Sequence, residues 1–516
     1  MAMHTPAIEL SAELVQDLTV TSGETVPVIA PFTGEVLHHL PQSTADDVAR
    51  AASAARVAQR AWLAAGFRHR RAVLLRAHDL LLERQELILD LLQAETGKTR
   101  GQAFEEVFQA ASVTRYYAVS THRVLATKRR RASIPLVLKT RVSYKAKGLV
   151  GVITPWNHPV SLGVMDVIPA LATGNGVVQK IDNQATLCML ATRRAFIDAG
   201  LPEALWAIVA GPGDVVGNAV VDAADYVCFT GSTPTGTRVA QRAAGRLVGV
   251  SLELGGKNPL IVLDDVDPVD AARKAVYACF TSMGQVCVSI ERIYVDRRVA
   301  EAFTDEFARN TTALVLGGAF DYSTDVGSLT SAAQLERVAG HVNDAVSKGA
   351  IVLAGGKARP EIGPYFFEPT VLTNVTPAME CFAGETFGPV VAVTVVDSEA
   401  EAISAANDSQ FGLNASVFTG SPSRGRRIAD LLNAGSVNIN EGFRGSFSSI
   451  DAPMGGMKQS GLGRRNGVEG MMRFVDARTV AEATGLLALP VTGRQFESLI
   501  GVIVVLLRAL KAIRRA

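Results

Sequence analysis

Three residues have the chemistry of a covalent site: Cys287 in "MGQVCVSIER", Glu253 in "SLELGGKNP" and Asn157 in "PWNHPVS". A cysteine can attack an electrophilic carbon, a carboxylate can take a proton from water, and a side-chain amide can donate to a developing oxyanion. Each also has a plainer explanation. Free cysteine is among the most buried side chains. A strand-terminal glutamate can cap the next segment, and an asparagine between prolines can bond its own turn. "ETFGPV" sets Glu385 and Phe387 beside a rigid Gly388-Pro389 turn. "DYVCFTGSTPTG" closes a strand-like run on Gly231-Ser232, a turn able to bring backbone N–H groups to a pyrophosphate. It lacks the GxGxxG spacing, so an ordinary tight turn explains it equally well.

The elements that must position these residues show in the periodicity. Residues 44–126 carry apolar side chains at three- and four-residue spacing, which predicts helices; Thr44 or Asp46 could cap the first, and Gly97 could end the second. Alternation from 134 to 154 predicts strands. Between 149 and 265 short apolar runs ("LVGVIT", "GNGVVQKI", "LWAIVAG", "DYVCFTGS", "VSLELGG") alternate with helical stretches, the pattern of βαβ units feeding a parallel sheet. A second set ("ERIYVD", "AIVLAGG", "PVVAVTVV", "ASVFTG", "GSVNIN") runs from about 274 to 445. The fold class is therefore α/β, with two domains. Ligands of such sheets bind at the carboxyl ends of the strands.

Composition narrows the function classes. With 48% hydrophobic and 20% charged residues the 516-residue chain reads as soluble and globular. A net charge of +1 offers nothing to neutralise nucleic-acid phosphates, and Lys128-Arg129-Arg130-Arg131 reads as a solvated turn. Five scattered cysteines and no secretory pattern at the N-terminus predict reduced thiols in the cytoplasm. No Cys/His cluster predicts a metal. A cysteine hydrolase or acyltransferase would want a histidine partner, and the only histidine within these motifs is His158, next to Asn157.

Taken together and in order, "ETGK" (95–98), "GVITPWNHP", Lys180, "FTGSTPTG", "ELGGKNP", "GQVCVSIER", "ETFGPV" and "APMGGMKQSGLGR" resemble the aldehyde dehydrogenase superfamily over roughly residues 25–485. The resemblance implies that Cys287 is the nucleophile and Glu253, 34 residues earlier, the general base. It implies that Asn157 and the Cys287 N–H hold the oxyanion of a thiohemiacetal. Hydride would pass to a nicotinamide, leaving a thioester that Glu253-activated water hydrolyses. Trp156, Lys180, Ile181, Asp182, Asn183, Gly231, Ser232, Leu254, Glu385 and Phe387 are the implied cofactor residues. Many NAD-preferring relatives carry a glutamate at the position of Asn183 in "KIDNQ", where its carboxylate would repel a 2′-phosphate. The uncharged Asn183 with Lys180 therefore points to NADP, with NAD possible.

Segments such as "GQVCVSIERIYV", "GPGDVVG", "GKARPEIGPYFFEPTVLTNV" and "DAPMGG" resemble bacterial NADP-linked succinate-semialdehyde dehydrogenases, implying a substrate that carries a carboxylate. Better-known members hold it with arginines after "PWN" and before the cysteine loop; here Met165-Asp166 and "FTSMGQ" stand there. Arg444 in "NINEGFRGSFSSI", with Ser446 or Ser448, is the candidate substitute, and an apolar or aromatic aldehyde is the alternative substrate. The resemblance implies a Rossmann-type cofactor domain (1–130 and 148–254), a catalytic domain (255–465) and an oligomerisation element (131–147 and 466–485) that makes a homodimer or homotetramer. The tail, 486–516, holds a nine-residue apolar run, Leu499–Leu507, too short to span a bilayer. As a helix it would place Arg508, Lys511 and Arg515 at three- and four-residue spacing, suiting either a membrane interface or a neighbouring subunit.

Overall fold

A computed structural model describes residues 11–133, 137–486 and 490–512. The helical region resolves into four helices: Ala45–Ala64, Gly66–Glu83, Gln85–Thr96 and Arg100–Val124. Thr44, not Asp46, caps the first: its hydroxyl accepts from Asp47 N–H and the Asp47 carboxylate accepts from Thr44 N–H. The breaks fall at Gly66 and Gly97, both left-handed, and at Arg84, so what reads as one long stretch from 72 to 98 belongs to two helices. Gly97 ends the third helix as expected.

The first sheet contains β1 (Leu149–Ile153), β2 (Gly176–Lys180), β3 (Trp206–Val209), β4 (Tyr226–Thr230) and β5 (Gly249–Glu253). The second contains β6 (Asn258–Val262), β7 (Ile290–Asp296), β8 (Ile351–Ala354), β9 (Thr370–Thr373), β10 (Val390–Val396), β11 (Asn414–Phe418) and β12 (Ser436–Ile439). A short late strand, β13 (Gly461–Leu462), returns to the first sheet and pairs antiparallel with β5. The spatial orders are β3-β2-β1-β4-β5-β13 and β8-β9-β10-β7-β6-β11-β12. All neighbours are parallel except β5/β13 and β8/β9. In the first sheet the order reverses between β1 and β4, so a crevice opens beyond their carboxyl ends.

Two central-sheet strands escaped the sequence reading. In "KNPLIV" Pro259 argues against a strand, yet it sits where the β6/β7 register shifts, and the rest of the run pairs normally. "TVLT" of β9 follows directly on Pro369, and no strand is expected there. The basic run is also corrected. Lys128–Arg130 is an exposed strand, not a turn, on the edge of a three-stranded antiparallel sheet with Leu138–Ala146 and Val475–Ala483. The part of the predicted 134–154 strand region at 134–136 lies outside the described residues.

Candidate active site

The carboxyl ends of β1, β4 and β5 deliver three groups to one place. After β1 come Pro155, Trp156 and Asn157; β4 ends at Thr230 and continues into Gly231 and Ser232; β5 ends at Glu253 and continues into Leu254 and Gly255. All line a single cavity of about 640 Å³ that also contains Cys287, Glu385 and Phe387. Catalytic and cofactor candidates far apart in sequence therefore share one pocket.

Cys287 follows a tight turn, Thr281–Gly284, in which Ser282, Met283 and Gly284 all have left-handed backbone. Two non-glycine residues there cost on the order of 1–3 kcal/mol each. Gly284 is obligatory, because a Cβ would stand 2.2 Å from the Gly388 carbonyl, packing the cysteine loop against the "ETFGPV" loop. Gly256 passes equally close beneath the Cys287 carbonyl, where a Cβ would stand at 2.5 Å. That carbonyl also accepts from Asn258 Nδ2 at 2.8 Å. The other four cysteines, 188, 228, 279 and 381, are buried; Cys287 is partly exposed. Burial, then the charges of Glu253 and Glu385, push its thiol up to about 12.

Asn157 Nδ2 donates to the Gln285 carbonyl at 2.8 Å, which ties the "PWN" turn to the cysteine loop and leaves one of its two amide protons unspent. The turn is fixed from behind. Lys98 of "ETGK" donates to the Asn157 carbonyl at 2.8 Å and pairs with buried Glu106. Glu106 in turn accepts from the Val160 and Ser161 N–H groups at the start of helix Pro159–Ala172. Glu95 caps helix Thr186–Asp198 in the same way, through Leu187 and Cys188.

Glu253 is buried, and its Oε1 has no hydrogen-bond partner. Burial pushes its carboxyl up to about 7, against the pull of Arg465. Arg465 comes from a cluster that sequence reasoning missed. Its guanidinium makes two bonds to Asp166, at 2.9 and 2.5 Å, and donates to Thr230 Oγ1. Arg473 adds a bond to Asp166 at 2.5 Å. Thr230 is the in-register neighbour of Glu253 across β4/β5, so the cluster lies directly behind the base candidate. The available signal was a lone aspartate inside the apolar run "VSLGVMDVIPALA", which burial obliges to find a cation.

On the cofactor side, Ser232 begins helix Thr233–Ala244 but does not cap it; its hydroxyl donates to Thr235 Oγ1 at 3.1 Å. With Pro234 lacking an N–H and the Gly236 N–H bonded to the Ser232 carbonyl, the Thr233 and Thr235 N–H groups at the start of this twelve-residue helix are left for an anion, a donor pair that fits a dinucleotide pyrophosphate. Leu254 packs on this helix at Gly236. Trp156 and Phe387 meet edge to face at 5.7 Å. Glu385 accepts from Gly256 N–H at 2.7 Å, and burial beside Glu291 pushes it up to about 7. Glu291, paired with Lys257, accepts from the Thr386 and Phe387 N–H groups and so anchors the loop.

Other candidates lie off this cavity. Lys180 ends β2, and burial lowers its ammonium pKa. The Ile181 side chain is in the core, leaving only its backbone for a ligand. Asp182 caps its own turn through Gln184 N–H, and Asn183 donates to Gln42 Oε1 at 3.2 Å. Arg444 stacks 3.7 Å over the Tyr277 ring and lies 3.6 Å from Glu441, with half its side chain exposed. Ser446 bonds to Asn438 and the Phe443 carbonyl, and exposed Ser448 donates its N–H to the Arg444 carbonyl. His158 is buried, and burial holds its imidazole well below the usual histidine range. A neutral, enclosed ring does not make the cation that a thiolate–imidazolium pair needs.

The fold and this pocket define an α/β class with a cysteine lining a crevice at the carboxyl ends of a parallel sheet. Comparison supplies the family: the chain belongs to the Aldehyde dehydrogenase family, which matches residues 19–480. A relative from Mycobacterium tuberculosis, named "Putative succinate-semialdehyde dehydrogenase [NADP(+)] 2", is 50% identical over 452 residues, 88% of this chain and 87% of that one. Among solved structures, betaine aldehyde dehydrogenase from Staphylococcus aureus in complex with NAD+ is 30% identical with a TM-score of 0.89, covering 96% of this chain and 100% of that one. An E. coli NADP-dependent enzyme is 33% identical with a TM-score of 0.86, covering 89% and 95%.

Proposed function

We propose that this aldehyde dehydrogenase oxidises succinate semialdehyde to succinate with NADP+. The observation that carries the catalytic reading is the single cavity shared by Cys287, Glu253 and Asn157 beside an uncapped helix N-terminus. A thiol pushed up to about 12 needs a base at the moment of attack, and Glu253, near 7, is the acceptor in the same cavity. Sγ adds to the carbonyl carbon, and the free amide proton of Asn157 with the Cys287 N–H takes the oxyanion, each donor contributing about 3–4 kcal/mol. NADP+ would be held in this cavity by Trp156, Gly231, Ser232, Leu254, Glu385 and Phe387, with Lys180, Ile181, Asp182 and Asn183, off the cavity, as the candidates for its adenosine end, and would supply the hydride acceptor. The acyl group remains on Cys287 as a thioester. Glu253, having passed its first proton to solvent, takes one from water; the water oxygen attacks the acyl carbon and the thiolate leaves. The first sheet's domain binds the dinucleotide, the second carries the cysteine, and the three-stranded sheet joins subunits.

Support for the substrate is the naming of the half-identical relatives. Support for NADP is the same naming, together with uncharged Asn183 and the buried Lys180 ammonium, on which the neighbouring charge is that of Asp182. An apolar aldehyde is the second reading, favoured by one observation. The only arginine among the cavity-lining residues, Arg337, is spent on the carbonyls of Glu385 and Thr386. Comparing kcat/KM for succinate semialdehyde, hexanal and benzaldehyde, each with NADP+ and NAD+, tests both. The expected result is at least about a tenfold preference for the semialdehyde and for NADP+, the size of one good charged contact. A preference for hexanal or benzaldehyde retires the substrate, and a preference for NAD+ retires the cofactor.

A further inference from the structure

The family match ends at residue 480, but the chain continues into a twenty-residue helix, Gly493–Ala512. Its start is written locally. Thr492 Oγ1 accepts from Gln495 N–H, and Gln495 Oε1 accepts from the Val491 and Thr492 N–H groups, a capping box. At 1.5 Å per residue it is about 30 Å long. None of its side chains is buried: Phe496 is 52% exposed, Ile500 59%, Val502 64% and Val505 65%. None belongs to a hydrophobic core cluster among the described residues. Among the described residues no helix is long and apolar enough to cross a membrane.

Phe496, Leu499, Ile503, Leu506 and Leu510 recur at three- and four-residue intervals and form one stripe. Ile500 and Leu507 widen it on one side and Val502 on the other. Arg494, Glu497 and Arg508 fall opposite, with Lys511 at the margin. Within 486–516 the sequence has five basic residues (Arg494, Arg508, Lys511, Arg514, Arg515) against Glu497 alone. Arg515, expected on the polar side, lies with Arg514 outside the described residues. The whole chain is only +1, so the positive charge is concentrated here on an otherwise net-negative protein.

We propose that this helix docks the enzyme on an anionic lipid surface, lying in the interface with its stripe among the acyl chains and its basic residues at the headgroups. Charge decides against pairing with the same helix of a second copy. Two such helices side by side bring the same excess of cations and no acidic complement, whereas phosphatidylserine headgroups supply it. Width points the same way. A paired-helix seam covers a narrow stripe and would leave the flanking Ile500, Leu507 and Val502 in water, while lipid covers a broad face.

The proposal is independent of the substrate reading and has its own test. Full-length protein is sedimented with phosphatidylcholine vesicles containing 30% phosphatidylserine and with pure phosphatidylcholine vesicles. Three variants are run beside it: a truncation ending at residue 490, Ile503→Glu, and the double change Arg508→Gln/Lys511→Gln. The proposal expects full-length protein to pellet with anionic vesicles and not with neutral ones. The truncation and Ile503→Glu should stay in the supernatant. The double variant should bind about 25-fold less, at roughly fivefold per basic residue. Turnover of soluble aldehyde should be equal in all four. Equal pelleting of full-length and truncated protein overturns the proposal. So does an absence of anionic binding together with a fall in particle mass on truncation, which would identify a second copy as the occupant.

Discussion

Glu253 and Asp166 are both buried and are separated by little more than Thr230 and Arg465, yet the protein treats them oppositely. Asp166 has two arginines; burial alone would raise its carboxyl, but Arg465 and then Arg473 hold it below the ordinary range. Glu253 has no hydrogen bond at Oε1 and is pushed up to about 7. A paired carboxylate is a structural charge. An unpaired one beside a cavity is a proton acceptor poised near neutrality, at a cost in stability.

The largest effect should come from making Glu253 neutral. In Glu253→Gln, steady-state turnover is expected to fall about 10²–10⁴-fold, and stability should rise. A carboxyl near 7 in the fold but near 4.5 unfolded costs nothing below pH 4.5. The cost grows as pH rises from 4.5 to 7 and stays at about 3 kcal/mol above that. Denaturant midpoints should therefore favour the variant at pH 8 and match wild type at pH 4. A variant no more stable at pH 8 would mean that Glu253 has a partner in solution. Next in size is Asp166→Asn. It strands Arg465 and Arg473 without a counter-ion and should cost about 3–5 kcal/mol in the same denaturation assay. An unchanged midpoint would remove Asp166 from its structural role.

How legible each carboxylate is from sequence follows from the same contrast. Glu253, Cys287 and Asn157 stand in contiguous motifs next to glycines and prolines, so their neighbourhood is written beside them, and their shared pocket follows from strand order. The two α/β halves are legible because apolar runs recur in register with helical stretches. The Asp166–Arg465–Arg473 cluster is held by bonds between residues about 300 apart, and no local period reports it. The β6 strand was hidden for a local reason, a proline at a register shift. Arg444 looked like an anion-binding loop residue because its sequence neighbours do not include Tyr277, the ring that occupies its guanidinium.

The smallest effect is the one that isolates the link between the two carboxylates. Where thioester hydrolysis limits turnover, the acid limb of kcat against pH reports Glu253. Arg465 and Arg473 favour its ionised form, and Arg464 adds to them; Asp166 opposes it. Arg465→Met should therefore move the limb to higher pH and Asp166→Asn to lower pH, opposite shifts that general loosening of the fold would not produce. Arg473→Met should move it in the same direction as Arg465→Met but less, because Arg473 reaches Asp166 without touching Thr230. If all three profiles overlay wild type once normalised to the folded fraction, the cluster braces the strand ends and has no part in tuning the base.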